Sequence, residues 1–410
     1  MALVRPFCAL RPKAELAAQT AALPYDVYSR EEARLEAGRN PLSFLNIDRA
    51  ETQFPEDTDP YDPKVYKKAG ELLRKQEEQG IYSQDPIPHF YLYELTRKGK
   101  SQTGICACAS VEEYWKGIVV KHENTREDKE QDRIRHVNSC QAQTGPVFLA
   151  HRRNRELAEL KKRNRETPPL YDFTGEDQIR HRVWSFPAEE NDRIREMFQK
   201  IGKLYIADGH HRAAAAAQVC REKREEDPAF TGDEEWNYFL AVIFDEEELQ
   251  ILDYNRAVRG LQGRTETEFL EEMKKRTELI PCSREEARPG KKGEAGMYLR
   301  GQWYRFALAC EEDWDPVKRL DVSLLQDQIL FPVLGIKDPR RDKRIDFIGG
   351  IRGMEELERR GNTDCDVAFC LYPTAMGELF DVADAGLLMP PKSTWFEPKL
   401  RSGLLIHKLQ

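Results

Sequence analysis

The pattern of apolar and polar positions alternates between helical and strand periods along most of the chain. "SREEARLEAGRN" opens on Ser29 and carries Glu32 three residues later, the spacing of a capping box, and predicts a helix. "PKVYKKAGELLRKQEEQG" predicts a second, with Pro63 at its start and Gly80 as its stop. "PHFYLYELTRKGKSQTGICACASVEEY" predicts two strands around a Lys-Gly-Lys turn. "GIVV" is a short strand, and "TREDKEQDRIRHVNSCQAQTG" is helical through its first two-thirds. "PVFLAHR" is a strand, "NDRIREMFQKIG" a helix ending at Gly202, and "KLYIAD" a strand. "HRAAAAAQVCREKREED" is a helix rich in alanine, the best helix former. "EWNYFLAVIFDEEELQILDYNRAV" supplies two more strands. "TETEFLEEMKKR" then predicts a helix and "GMYLRGQWYRFAL" a hairpin. No internal repeat interrupts this order.

A chain of 410 residues exceeds one ordinary domain. Breaks fall in "SQDPIP" and "GLQG", dividing it into regions 1–85, 86–260 and 261–410, each of α+β texture. The tail of the last region is expected to return to the functional site. Formal net charge is −8, which argues against a general nucleic-acid binder. Residues 116–165 run the other way, with basic clusters "RIRH", "HRRNR" and "KKRNR". They form either a solvated helical face or a site for phosphates. No apolar run approaches the roughly 18 residues of a membrane span, and "MALVRPFCALRPK" does not make a signal peptide. Nine cysteines at irregular spacing do not suggest a disulfide framework, and neither C-x-C (Cys106, Cys108) nor C-x4-C (Cys365, Cys370) is a convincing zinc pattern. A cytoplasmic location is the expectation.

Chemistry concentrates in "YIADGHHRAAAAA", residues 205–217. A strand ending in Asp-Gly before a helix builds a tight turn, and Gly209 permits backbone geometry that side chains resist. The helix's first N–H groups, together with its dipole, make an anion site. Arg212 can add a bidentate guanidinium to a phosphate. Asp208 can orient a magnesium ion, a ribose or a substrate amine. Two adjacent histidines, His210 and His211, complete the cluster in a chain with only eight. The bland alternative is a capped turn whose histidines satisfy backbone carbonyls. No Walker A lysine motif is present.

A second cluster follows "GIVV", where a strand ends in Lys121, His122 and Glu123. Glu123 is a candidate general base; otherwise it is a surface carboxylate paired with Lys121 or Arg126. Two further stretches are candidates. "MPPKSTWFEPK" offers Lys392, Ser393 and Thr394 to a phosphate, or anchors the C-terminal segment by its aromatics. "LPYDVYS" offers Asp26 to a substrate amine, or is a simple capped turn. His136 reads as a helix-face residue one turn from Asp132, and His181 as part of an alternating strand.

These two clusters carry a resemblance. A strand ending in His-Glu, then a helix and a strand, and later a strand ending in Asp-Gly-His-His-Arg, resemble the ParB/sulfiredoxin superfamily, nearest its free-serine kinases. Over nearly its whole length the chain resembles the bacterial family catalogued as domain of unknown function 1015, through "RPFCALRPK", "ALPYDVYSREEAR", "NPLSFL", "KHENTREDKEQDR", "QTGPVF", "YIADGHHRAAAA", "ILDYNR" and "MPPKSTWFEPKLRSGL". The implied fold is α+β, a mixed-sheet ParB/sulfiredoxin-like core with additional N- and C-terminal α+β regions. The implied activity is a small-molecule phosphotransferase acting on free serine or a similar hydroxylated metabolite, in either direction. ATP, ADP or pyrophosphate would be the phosphate donor and magnesium the metal, on Asp208. Glu123 would be the base. Asp208, Gly209, His210, His211 and Arg212 would hold the phosphates, with Arg126 beside them and His122 and Asp26 toward the substrate. The segment "RNRELAELKKRNRETPPLYDFTGEDQIRHRVWSFP" lengthens the gap between the two boxes relative to the compact serine kinases. The alternatives are a nucleotide-binding regulatory or nucleic-acid-associated ParB-like module, disfavoured by the acidic charge, and a sulfiredoxin-like reductase, which needs a cysteine that this box lacks.

Overall fold

The alternation through "GICACAS" becomes the Lys100–Ser110 strand, the centre of a nine-stranded mixed sheet in the computed structural model, which describes all 410 residues. Across the sheet the order is Val119–Val120, Leu204–Asp208, Val147–His151, Tyr238–Asp245, Lys100–Ser110, Tyr91–Arg97, Arg180–Ser185 and Tyr171–Thr174. Val4–Arg5 pairs with Lys100–Ser110 off that path. Val119–Val120 lies parallel to Leu204–Asp208, and Val147–His151 parallel to Tyr238–Asp245; the other neighbours on the path are antiparallel. The first of these parallel pairs fixes the site, because it brings the C-terminal ends of both motif-bearing strands to one edge.

The helices follow the predicted signals. Ser29 and Glu32 exchange the two bonds of a capping box at the start of Arg30–Arg39. Pro63–Glu78 has its proline at the first position and Asp62 as cap. His210–Glu226 follows Leu204–Asp208 after one glycine. Its alanines 213, 215, 216 and 217 are buried with Ile134, Leu149, Ile206 and Phe239. Side chains that small let a helix approach its neighbours closely. The segment between the two motifs stays away from the site. It contributes the Arg155–Asn164 helix and the strands Tyr171–Thr174 and Arg180–Ser185, which extend the opposite edge of the sheet beyond Tyr91–Arg97.

The division of the chain differs from the three expected regions. One compact unit comprises Met1–Leu249 with Pro398–Gln410, and a second comprises Gln250–Glu397. Region 1–85 does not stand alone, because Leu10–Pro12 pairs with Tyr82–Gln84, Val4–Arg5 joins the large sheet, and Phe44, Val65 and Leu73 share a core with Ala142 and Ile406. The break near 260 moves back to 249/250, because Tyr254–Val258 is a central strand of the second unit. That unit is an antiparallel six-stranded sheet in the order Ile280–Cys282, Gln302–Ala307, Glu294–Leu299, Val367–Leu371, Tyr254–Val258, Ile345–Gly349. No helix is long and apolar enough to cross a membrane.

The C-terminal tail completes the first unit. His407–Lys408 pairs with Ala142–Gln143, and the His407 imidazole meets the Glu235 carboxylate at 2.6 Å. Gly403 turns the tail with φ +80°, and a Cβ there would stand 2.4 Å from the Phe44 ring. Gly403→Ala combines a disfavoured backbone region with overpacking, so it should lower the unfolding free energy by roughly 2–4 kcal/mol. A urea midpoint unchanged from the parent protein would contradict the tight fit.

Candidate functional site

Gly209 is the hinge of the turn. Its φ of +90° is open to glycine and strained for other residues. A Cβ on it would meet the Arg212 Nε at 3.2 Å, so the guanidinium folds back across the turn. There Arg212 donates Nη1 to the Pro146 carbonyl. The Gly209 N–H donates to Asp208 Oδ1 at 2.8 Å, and Asp208 Oδ2 receives the Lys399 ammonium at 2.8 Å. Burial works to raise the Asp208 pKa, but Lys399 and Arg212 outweigh it and hold the carboxyl well below the usual carboxylate range. Gly209 brings no side chain to cap the 17-residue helix behind it, so the positive helix end stays open to an anion.

The two histidines clamp a neighbouring loop. The backbone N–H of His122 donates to His210 Nε2 at 3.5 Å, and the backbone N–H of Arg126 donates to His211 Nε2 at 3.1 Å. The His122 and His210 rings also meet edge to face, with centroids 4.6 Å apart. The loop that carries Glu123 is therefore tied at both ends to the 208–212 turn. Because each Nε2 accepts, each neutral imidazole keeps its proton on Nδ1 and has that N–H to offer. His122 itself is buried, and its Nδ1 has no partner in the protein. A buried polar atom in that state marks a place where a ligand or water is expected.

Residues 4–323 match the family described as "Protein of unknown function (DUF1015)". The chain belongs to that family. No curated protein matches it. Among solved structures, this DUF1015 protein is similar to a free serine kinase in complex with AMP, at 14% identity and a TM-score of 0.35, over 73% of this chain and 91% of that one. It is similar to a C-terminally truncated SbnI from Staphylococcus aureus, at 10% identity and a TM-score of 0.37, over 73% and 86%. A conserved hypothetical protein from Pyrococcus furiosus matches at 16% identity and a TM-score of 0.32, over 73% and 94%.

The structure brings His122, Arg126, Asp208, Gly209, His210, His211 and Arg212 together through the contacts above, and Glu123 lies on the loop between the two clamped N–H groups. Asp26 is exposed beside them, and its charge acts on His211. Its loop is fixed by Arg49, which donates to the Tyr25 and Tyr28 carbonyls at 2.9 and 3.1 Å. The Arg126 guanidinium pairs with Asp128 at the surface. Lys392, Ser393 and Thr394 belong to the second unit. There the Lys392 carbonyl accepts from Arg256, and Ser393 Oγ donates to the Pro390 carbonyl. Part of the basic run of residues 116–165 pairs with carboxylates: Arg133 with Asp132, Arg153 with Glu247, Lys161 with Glu248 and Arg165 with Glu94. Sequence reading missed Lys399, whose only signal was its place in the "WFEPKLRSG" stretch.

Burial pushes the His122 imidazole down to about 4, against the pull of Asp208 and of the Ile206 carbonyl. Burial, and then the neighbouring His122, hold His210 well below the usual histidine range. His151 and His181 are driven down by burial to about 4 and about 3. A histidine whose folded pKa is depressed disfavours folding once the unfolded chain takes up the proton. Stability should therefore be full above the unfolded value of about 6.5 and should fall as the pH drops toward 4. His122 alone accounts for about 3 kcal/mol across that window. Asp208 adds loss only below the ordinary carboxylate range. Denaturant midpoints measured between about pH 7 and pH 4.5 should fall steadily, and His122→Gln should flatten part of the slope; a flat profile in the parent protein would contradict neutral buried imidazoles.

Proposed function

We propose that this protein is a small-molecule phosphotransferase, with a ParB/sulfiredoxin-like core, that moves a phosphoryl group between a nucleotide or pyrophosphate and the hydroxyl of free serine or a similar metabolite. The observation that carries the reading is the double clamp: an anion-receiving helix end and a carboxylate-bearing loop are tied together by His210 and His211. Phosphoryl transfer needs positioning and charge stabilisation more than covalent help.

In this reading the donor's terminal phosphate lies on the open helix N-terminus, facing the Arg212 guanidinium. The substrate hydroxyl oxygen attacks phosphorus as the bond to the bridging oxygen breaks, and Glu123 takes the hydroxyl proton. The Nδ1–H groups of His210 and His211 are the available donors to non-bridging oxygens as charge develops. Neutral imidazoles suit that task, since they donate without having to lose a charge. Asp208 holds Lys399 at the turn, and the ammonium offsets phosphate charge. Asp208 is also the residue that would hold magnesium. Lys399 already sits on its Oδ2, so a metal there would share one carboxylate with an ammonium, an arrangement that Coulomb repulsion opposes. No step here passes through a metal.

Calorimetry with ATP, ADP and pyrophosphate, each with and without magnesium, tests the phosphate site. Binding of at least one is expected, and Arg212→Ala should weaken it by roughly 1.5–3 kcal/mol, the scale of a charge-assisted hydrogen bond. Glu123→Gln should leave that affinity nearly intact while lowering turnover by roughly 10²–10⁴-fold, read by phosphorus NMR against a panel of hydroxylated amino acids. Full activity in this variant would remove Glu123 as the base. Lost binding in the same variant would make it a support of the turn.

A further inference from the structure

A cavity of about 300 Å³ opens in the first unit between the loop before the Arg30–Arg39 helix, the Leu45–Asp48 turn and the facing helices Pro63–Glu78 and Glu127–Cys140. That is the small end of the range for ligand pockets, about 300–1,000 Å³. A smaller cavity adjoins it around Tyr25, Asp48, Arg133 and His136, and is lined by Arg212 as well.

The wall common to both cavities is polar and buried, and it is incompletely satisfied from within. Arg133 places Nε and Nη2 on Asp132 Oδ2, at 3.1 and 2.8 Å, and Tyr66 donates its hydroxyl to Asp132 Oδ1 at 2.8 Å. Asp132 is thereby used up, while Arg133 Nη1 has no protein acceptor. The guanidinium lies 3.7 Å from the centre of the Tyr25 ring, and the Tyr25 hydroxyl also lacks a partner. Asp48 takes the Thr144 hydroxyl on Oδ1 at 2.9 Å, with His136 Nε2 3.7 Å from the same oxygen; its Oδ2 has no donor. Tyr25, Arg133 and Asp48 are only 8, 7 and 4% exposed. A guanidinium and a carboxylate buried on one wall, close enough for Asp48 to favour the charged Arg133, nevertheless make no ion pair with each other. Asp132 neutralises Arg133, so the unmatched charge on this wall is that of Asp48, while Arg133 Nη1 and the Tyr25 hydroxyl are donors without protein acceptors.

We propose that this cavity binds a small zwitterion, whose anionic group meets Arg133 Nη1 and the Tyr25 hydroxyl and whose cationic group meets Asp48 Oδ2. Neither group alone completes the wall: a simple anion meets the free donors but leaves Asp48 unmatched, and a simple amine meets Asp48 but leaves Arg133 Nη1 and the Tyr25 hydroxyl without an acceptor. The inference uses neither Glu123 nor a phosphate on the turn; because the phosphotransferase reading also takes an amino acid, weakening by Tyr25→Phe and Asp48→Asn, and not binding alone, assigns the ligand to this cavity.

The test is calorimetry on the full-length protein without nucleotide, using a set of amino acids, with acetate, propionate and ethylamine as single-charge controls. At least one amino acid should bind, and the controls should bind at least tenfold more weakly or not at all. Tyr25→Phe removes one hydroxyl and keeps the packing. It should weaken binding severalfold with the unliganded melting temperature unchanged. Asp48→Asn and Arg133→Met should each weaken it roughly tenfold or more, the loss expected for a hydrogen bond to a charged group. No binding by any zwitterion would overturn the proposal. So would equal binding of the controls, or amino-acid affinity unaltered by both Tyr25→Phe and Asp48→Asn.

Discussion

Two backbone N–H groups, those of His122 and Arg126, end on the imidazole nitrogens of His210 and His211, and the geometry of the site depends on that pair of bonds. A loop following a two-residue strand has little ladder to hold it. Side-chain acceptors from the opposing helix supply what the sheet does not. The parallel pairing of Val119–Val120 with Leu204–Asp208 sets the strand ends side by side, and the imidazoles then set the distance between loop and turn. Burial keeps both rings neutral, which is the state in which each has an acceptor nitrogen to give. Adjacent histidines at a helix mouth thus serve as a two-point fastening, whatever they do to a ligand.

Charge at the turn does not cancel. Asp208 faces Lys399 and Arg212, and the guanidinium is itself steadied by the Pro146 carbonyl. A carboxylate held between two cations leaves a net positive surplus beside an uncapped helix end. That surplus favours an anion at the turn over a cation. It is equally the reason a free divalent cation would find the place less welcoming than the aspartate alone suggests.

Much of this was legible in the sequence. Period and punctuation placed the Pro63–Glu78 and His210–Glu226 helices and the strands that carry both motifs, because each element's local signal agrees with its tertiary role. The turn was legible for the same reason: Asp-Gly before a helix has few other uses. The partners were not. Lys399 lies 191 residues from Asp208, and no local rule links them. The bonds received by His210 and His211 come from backbone groups, which leave no mark in residue type. The limits of the units were missed because Tyr254–Val258 reads as a continuation of the strand before it, while its neighbours, Ile345–Gly349 and Val367–Leu371, come about a hundred residues later.

The return of Pro398–Gln410 to the first unit has a consequence for how the chain is made. Synthesis proceeds from the N-terminus at about 5–20 residues per second. When Leu249 emerges, the large sheet has all nine strands, yet the ammonium that faces Asp208 and the strand that pairs with Ala142–Gln143 have not been translated. The whole of Gln250–Glu397 must be produced first, an interval of several seconds or more. During that time the nascent first unit carries its turn with Asp208 facing Arg212 but not Lys399, and an open seam along Ala142–Gln143. A chain arrested within Gln250–Glu397 therefore has both motifs in place and the electrostatics of the turn unfinished.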